Sequence, residues 1–495
     1  MAVTTQDTHV LSWDSRPLIN GLRCSSASTE RTEIISPRDG EVLYSIANGS
    51  STDVDCAVES ARAAYESGVW SGLSARERGR ILCTLGDLLE NNATELSQRI
   101  CREMGKPIRD AANVELVAAA QCFRWYGQLA DKLCGEIPTA DPGSLALITR
   151  EPAGVVAAVV PWNFPLTMAA WKVAPALVSG NSVVLKPAEQ TSVSALRLGE
   201  LALHAGVPAG ILNVVPGRGD TVGEALGRHG DVDVIAFTGS VEVGRRFLLY
   251  SAESNGKRVW PELGGKSAAI ILEDADVDAA GRQTAWGAFY NQGQMCSASS
   301  RMIVHRSVHD RALRAACAQA ARMVPSDPLD TTCTMGPMVT EHQLDRTISF
   351  VRRALADGAI LESGRPERFL LGSGRGSYLA PIIVTNIRPD MEISQTEVFG
   401  PVLSVIDVDS VDDAIAVANG TPYGLAAGLW TKDLTRAHQI SRRLRAGTVW
   451  VNCYEEGDMS MPFGGVGASG FGRDKGFYAL EKYTDVKSTW IELGS

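Results

Sequence analysis

Between residues 53 and 133 apolar residues recur every three to four positions, in "DVDCAVESARAAYESG", "SARERGRILCTLGDLLENNATELSQRICREMG" and "DAANVELVAAAQCFRWYGQLADKL". That period lays them along one stripe of a helix, so this stretch is predicted to be mostly helical. From residue 144 the pattern changes. "SLALITREPAG" (144–154) reads as a strand ending in a Pro-containing turn. Short apolar runs then alternate with helical segments: "VVAAVV" (155–160), "SVVLK" (182–186), "ILNVV" (211–215) and "VIAFTGS" (234–240) each precede one. Strands apolar on both faces, each followed by a helix, predict a parallel sheet covered on both sides. By analogy alone, that is a nucleotide-binding architecture. A second α/β region is predicted, with strands near 267–272, 300–305, 402–408 and 447–452. Its helices fall near 276–290, 306–324, 340–357 and 431–445. The tail "YTDVKSTWIEL" alternates like a half-buried strand. No internal repeat or low-complexity linker separates the regions, so they are expected to pack closely.

A chain of 495 residues has room for two or three domains with sizeable cores. The net charge of −10 argues against a nucleic-acid partner, because no basic face is available to neutralise phosphates. No run of about 18 apolar residues offers a membrane span. The opening "MAVTTQDTHVLSWDSR" has neither a basic n-region nor an apolar h-region, so no secretory signal is read and a cytoplasmic location is expected. The ten cysteines are scattered with no C-x-x-C pair, which argues against a disulfide framework. The seven histidines are dispersed too, and no metal site is expected.

Several motifs sit where strands give way to loops. "PGRGDTVG" (216–223), with Gly217, follows a strand and opens a helix; a phosphate cradle and a plain turn are equally open readings. "GGVGASG" (464–470) contains G-x-G-x-x-G but does not follow a strand, so it reads as a turn. In "FTGSVEVG" (237–244), Gly239 and Ser240 could meet a pyrophosphate, or Ser240 could simply cap a helix. In "LKPAEQT" (185–191), Lys186 and Glu189 leave the carboxyl edge of the sheet, where they could hold a ribose or form a surface ion pair. "PWNFP" (161–165) holds Trp162, Asn163 and Phe164 between two prolines, giving a fixed amide donor suited to an oxyanion. "PELGGKS" (261–267) places Glu262 on a turn, where it is either a general base or a solvated residue. In "NQGQMCSASSR" (291–301), Cys296 follows a helix and precedes small residues that leave room for a substrate. A thiol there is expected to be partly exposed and polarised by nearby N–H groups. No histidine lies nearby for a Cys-His pair. Cysteine, glutamate and an asparagine amide together suit acyl chemistry through a thioester.

Taken in order, "PWNFP", "KPAEQT", "FTGS", "ELGGKS", "NQGQMC", "EVFGPV" and "PFGG" resemble the aldehyde dehydrogenase superfamily over nearly the whole chain. The resemblance implies an α/β fold with a Rossmann-like cofactor domain (1–133 and 153–262), an α/β catalytic domain (263–454) and a small β oligomerisation arm (134–152 and 480–495). It implies that Cys296 is the nucleophile, Glu262 the general base and Asn163 the oxyanion donor. NAD, with NADP possible, is expected against Trp162, Lys186, Glu189, Gly217, Gly239, Ser240, Glu397 and Phe399. A homodimer or homotetramer is expected. "GGVGASGFG" departs from the commoner "GGYKQSGNG", a change expected to leave the chemistry untouched. The bacterial branch acting on ω-amino and guanidino aldehydes of polyamine and arginine breakdown is the nearest likeness. Glu455 and Asp458 of "VNCYEEGDMSMPFGG" are the candidate substrate residues, since carboxylates at a half-desolvated mouth attract a cationic tail. A broad-specificity aldehyde dehydrogenase is the main alternative. The others are a CoA-acylating enzyme and an inactive structural homologue.

Overall fold

The computed structural model describes residues 13–372 and 374–494. Two seven-stranded sheets dominate it. The first runs, in spatial order, Arg258–Leu263, Val234–Gly239, Val155–Val159, Ser182–Lys186, Leu212–Val214, Leu18–Ile19 and Leu22–Arg23. The first five strands are parallel and the last two antiparallel. The chain steps outward from Val155–Val159 in one direction, then returns to place Val234–Gly239 on its other side. Ligands of such sheets bind where the order reverses, beyond the carboxyl ends of the strands.

The second sheet runs Ile360–Ser363, Ile382–Thr385, Val402–Val408, Arg301–His305, Ala268–Ile271, Ala426–Trp430 and Thr448–Val451. It is parallel except for its first, edge strand. A separate two-stranded ribbon pairs Ser144–Pro152 with Thr484–Glu492, and it leaves Val486 and Trp490 exposed.

The helical stretch is present as Ser51–Glu66, Ala75–Asn91, Ala93–Met104 and Leu116–Leu129. Ser74 and Glu77 form a reciprocal capping box that starts the second of these. It lies so close to Leu116–Leu129 that a Cβ on Gly79 or Gly127 would collide with the other helix's backbone.

The pattern missed the antiparallel hairpin Arg31–Ile35/Val42–Ala47, three strands of the second sheet and the strand Arg258–Leu263. The last omission corrects the reading of Glu262 as a turn residue. "RVWPEL" was masked by Pro261, yet this strand is the sheet's edge, where a missing N–H costs no ladder bond. Among the described residues, no helix is long and apolar enough to cross a membrane.

Candidate active site

Glu262 stands at the penultimate position of its strand, buried, with one carboxylate oxygen lacking any partner. Three residues on, a Cβ at Gly265 would lie only 2.9 Å from the Cys296 carbonyl, so the turn after the strand rests directly on the cysteine's backbone. Cys296 follows three consecutive left-handed residues, Asn291 (φ 50°), Gln292 (φ 58°) and Gly293 (φ 67°). The two non-glycines each cost about 1–2 kcal/mol, so the surroundings must hold them.

They do so through Asn291 Nδ2, which donates to the Asn163 carbonyl (3.1 Å) and to the Gln294 carbonyl (3.1 Å). Asn163 Nδ2 also donates to the Gln294 carbonyl (2.9 Å). An amide nitrogen carries two protons, so one remains available to an incoming oxygen. The Asn163 carbonyl receives a second donor, Lys106 Nζ (3.0 Å), which is paired with Glu115 in the core and lies 3.6 Å from the centre of the Phe164 ring. Glu115 in turn accepts the Leu166 N–H (3.0 Å), where Pro165 opens the helix Pro165–Val178. Neither Lys106 nor Glu115 was singled out from sequence. Charged residues in a helical pattern read as a solvated face, and nothing local shows that a π-turn at Ala111–Glu115 carries Glu115 inward.

Three carboxyl groups face the thiol. Burial, then Glu262, Glu455 and Glu397, hold the Cys296 thiol well above its ordinary range, and the Ser297 N–H opposes them only weakly. The thiol is partly exposed and does receive an N–H, as expected, but burial and the carboxyls outweigh that polarisation. Low dielectric and like charge both favour the neutral form. The carboxyls are raised as well, each by burial first: Glu262 to about 8, Glu397 to about 7 and Glu455 to about 7.

Behind Glu262, Asp474 is buried between Lys172 and Lys482, both of which donate to it. Burial pushes Asp474 up, but the two lysines outweigh it and hold it below the usual range. Asp474 raises Glu262 while the lysines lower it. The 464–470 loop is a turn, but it reaches the chemistry after all. Gly470 pairs with the backbone of Glu262, and a Cβ at Gly464 would sit 3.1 Å from the Glu262 carboxylate.

At the reversal point of the first sheet, Trp162 meets Phe399 edge-on with ring centres 5.3 Å apart. Glu397 accepts the Gly265 N–H (3.1 Å). Lys186 is buried, 3.6 Å from Glu189, which accepts the Gly219 N–H (2.7 Å) in the glycine loop after Leu212–Val214. Gly217 takes φ 148°, a conformation closed to other residues. Ser240 accepts the Val243 N–H (3.3 Å) as the cap of Val241–Ala252, and Gly239 precedes it at the strand end. The capping reading of Ser240 holds, and the serine still stands exposed at a helix N-terminus, a setting that favours anions.

Glu455 and Asp458 part company. Glu455 adopts φ 60°, faces Cys296 and leaves one buried oxygen unpartnered. Asp458 stays on the surface, accepting from the Ser460 N–H (2.8 Å) and hydroxyl (2.6 Å). Around the thiol lie Trp450, Tyr454, Phe463 and Trp171. Tyr454 donates its hydroxyl to the Ser297 carbonyl (2.6 Å).

Residues 24–489 match the aldehyde dehydrogenase family. The chain belongs to that family. It is 45% identical over 484 residues to the NADP/NAD-dependent aldehyde dehydrogenase PuuC of Escherichia coli, covering 98% of this chain and 97% of that one. Among solved structures it is similar to the γ-glutamyl-γ-aminobutyraldehyde dehydrogenase of Burkholderia cenocepacia (TM-score 0.94, 48% identity, 97% of each chain). It is also similar to the indole-3-acetaldehyde dehydrogenase AldA of P. syringae in complex with NAD+ and IAA (TM-score 0.95, 46% identity, 97% of each chain). The chain is an aldehyde dehydrogenase. Among the described residues, no group of three His, Cys, Asp or Glu side chains could hold a metal.

Proposed function

We propose that this chain oxidises an aldehyde bearing a cationic nitrogen to the carboxylic acid, with NAD(P)+ as oxidant and Cys296 as nucleophile. One observation carries the substrate class: the Glu455 carboxylate, half desolvated beside the thiol, has an oxygen that no group in the protein satisfies. Ser297 and Lys475 act on the carboxylate, but a buried oxygen left unpaired is still costly, and an ammonium or guanidinium entering the pocket removes that cost. Trp450 and Tyr454 pack in the same cluster as Cys296 and would give an entering cation aromatic neighbours. Asp458, in open solvent, is screened within about 10 Å and adds attraction at a distance rather than a contact. The γ-glutamyl-γ-aminobutyraldehyde dehydrogenase likeness supports this reading. The aromatic wall of Trp171, Phe463 and Trp450 supports a second one, a neutral aromatic aldehyde.

The steps follow from the positions of the side chains. Cys296 Sγ loses its proton and attacks the aldehyde carbon, and the oxygen that gains charge is met by the free Asn163 N–H and the Cys296 backbone N–H. NAD(P)+, when bound, accepts the hydride that the tetrahedral carbon releases. The thioester left on Cys296 is then attacked by water whose proton passes to the unpartnered oxygen of Glu262, freeing the carboxylate and the thiol. The residues fit such a cofactor: Ser240 presents a helix N-terminus to a pyrophosphate, Lys186 and Glu189 would hold one ribose, and Glu397 the other. Trp162 and Phe399 would bound the nicotinamide. A Glu262 intact and buried beside Cys296 favours water over CoA as the acyl acceptor.

Two results are expected. The kcat/KM for 4-guanidinobutyraldehyde exceeds that for propanal, and Glu455→Gln reduces this preference about tenfold while propanal oxidation changes little. Equal efficiency for cationic and neutral aldehydes in the wild type would leave the aromatic-aldehyde reading. For the cofactor, Glu189 places negative charge where a 2′-phosphate would sit, so NAD+ is preferred and Glu189→Gln narrows the NAD+/NADP+ ratio of kcat/KM about tenfold. An unchanged ratio would remove Glu189 from cofactor selection.

A further inference from the structure

The Asn163 amide is held by a closed circuit of contacts that runs through distant stretches of chain. Asn163 Nδ2 donates to the Gln294 carbonyl (2.9 Å), and the Gln294 side-chain oxygen accepts the Val339 N–H (3.0 Å). Just before Val339, the backbone presses on Gly105. A Cβ at Gly336 would stand 1.9 Å from the Gly105 carbonyl, and one at Gly105 would stand 2.7 Å from the Pro337 carbonyl. Three residues past Gly105, the Ile108 N–H donates to the Pro328 carbonyl (2.7 Å), so the 105–108 segment is fixed at both ends on the 328–337 loop. That segment carries Lys106, whose Nζ returns to the Asn163 carbonyl (3.0 Å) and closes the circuit.

Lys106 is 1% exposed and paired with Glu115, which is also 1% exposed. Glu115 fastens the far end of the same turn: its carboxylate accepts the Leu166 N–H (3.0 Å) and its main-chain carbonyl the Thr167 hydroxyl (3.1 Å). The Phe164 ring centre lies 3.6 Å from the ammonium. One buried ion pair therefore grips the 162–164 turn at a carbonyl, at a ring and at the N–H that follows. Such a pair is weak evidence for stability, because desolvation offsets much of the attraction. What it supplies is a fixed position. A preorganised donor stabilises an oxyanion only where the charge appears, and a displacement of about 1 Å can cost about 10²-fold in rate.

We propose that Lys106, with Glu115, is a positioning residue for both halves of the reaction. It acts through Asn163, setting the side-chain N–H that meets the thiohemiacetal oxygen and, later, the oxyanion formed when water attacks the thioester. Lys106 can act in this way only if Asn163 is the oxyanion donor, as the mechanism above has it. The nature of the aldehyde's tail does not enter.

The test compares the full-length wild type with Lys106→Met/Glu115→Gln, each with and without Asn163→Ala. Removing both charges together leaves no unpaired ion in the core, and the glutamine keeps an acceptor for the Leu166 N–H. Stopped flow with propanal reads the first-turnover rate of NADH formation. Hydrolysis of p-nitrophenyl acetate reads acylation and deacylation of Cys296 without hydride transfer, and fluorescence titration gives Kd for NAD+. The two rates should fall together by about 10–100-fold, while Kd for NAD+ stays within about twofold. Asn163→Ala should lose about 10²–10³-fold, with no further fall when the ion pair is removed as well. A loosened fold would slow the Asn163→Ala protein again, so a further fall of the same size in that background overturns the proposal. A loss confined to one of the two reactions overturns it too. Near wild-type rates in Asn163→Ala itself overturn the oxyanion assignment and the proposal together. If Lys106→Met/Glu115→Gln does not fold, Glu115→Gln alone replaces it, and the same comparison with and without Asn163→Ala decides.

Discussion

Cys296→Ala is expected to lose aldehyde oxidation by at least about 10⁴-fold in kcat, the scale on which removing a covalent nucleophile acts. It should still bind the aldehyde and the cofactor. Cys317→Ala, by contrast, should keep near wild-type activity. Cys317 lies on the helix His309–Ala320, against the core of the second sheet and outside the aromatic cluster that holds Cys296. Cys453 is the sharper control, because it packs in the same aromatic cluster as Cys296. Cys453→Ala should alter KM for bulky aldehydes and leave the thioester chemistry intact. Initial rates of NADH formation with one aldehyde distinguish all three. Oxidation by Cys296→Ala at a rate near wild type would remove the covalent route altogether.

Glu262→Gln is expected to separate the two halves of the reaction. Hydride transfer precedes the need for a base acting on water, so a first-turnover burst of NADH should survive. The steady state should fall by roughly 10²–10⁴-fold, the usual contribution of a positioned general base. A stopped-flow trace reads both quantities at once, and equal loss of burst and steady state would move Glu262 to a step before hydride transfer. The same group sets the pH profile. A carboxyl raised to about 8 is mostly protonated at neutral pH, and only the deprotonated form accepts a proton from water. Steady-state activity should therefore rise with pH through about 8. The Cys296 thiol is raised too, so the burst rate should increase in the same direction. Lys482, held at about 8 by its burial, loses its charge in the same range and withdraws a cation that lowers Glu262. The rise with pH should for that reason be shallower than a single titration.

Much of the α/β fold was legible in periodicity, because its parallel strands are buried on both faces and so read as unbroken Val/Ile/Leu runs. Val155–Val159 and Ser182–Lys186 are such strands, every residue of each being buried. Two of the strands that escaped notice lie at edges, whereas Ile382–Thr385 and Ala426–Trp430 are interior and buried throughout but only four and five residues long. Ile360–Ser363 is half exposed, and Arg258–Leu263 contains a proline. Periodicity reports burial, and an edge strand is not buried in the regular way.

For the reacting groups, sequence sufficed to nominate Cys296, Glu262 and Asn163, since their motifs occur in one order along the chain. It could not show what each group experiences. That Cys296 faces three carboxyls depends on bringing residues 262, 397 and 455 from three distant parts of the chain to one point. The charge of the thiol is set by its burial and that meeting, with the adjacent Ser297 N–H opposing them. The same holds for the Lys106–Glu115 pair that fixes Asn163, and for Lys172 and Lys482 around Asp474, charged residues whose sequence pattern belongs to solvated faces. Glu455 and Asp458 sit three positions apart in one acidic loop and are indistinguishable by composition. The left-handed turn at Glu455 sends one inward to the thiol and leaves the other in water. Local sequence determined which side chains were available. Burial and charge, which depend on neighbours distant in the chain, are what the tertiary structure decided.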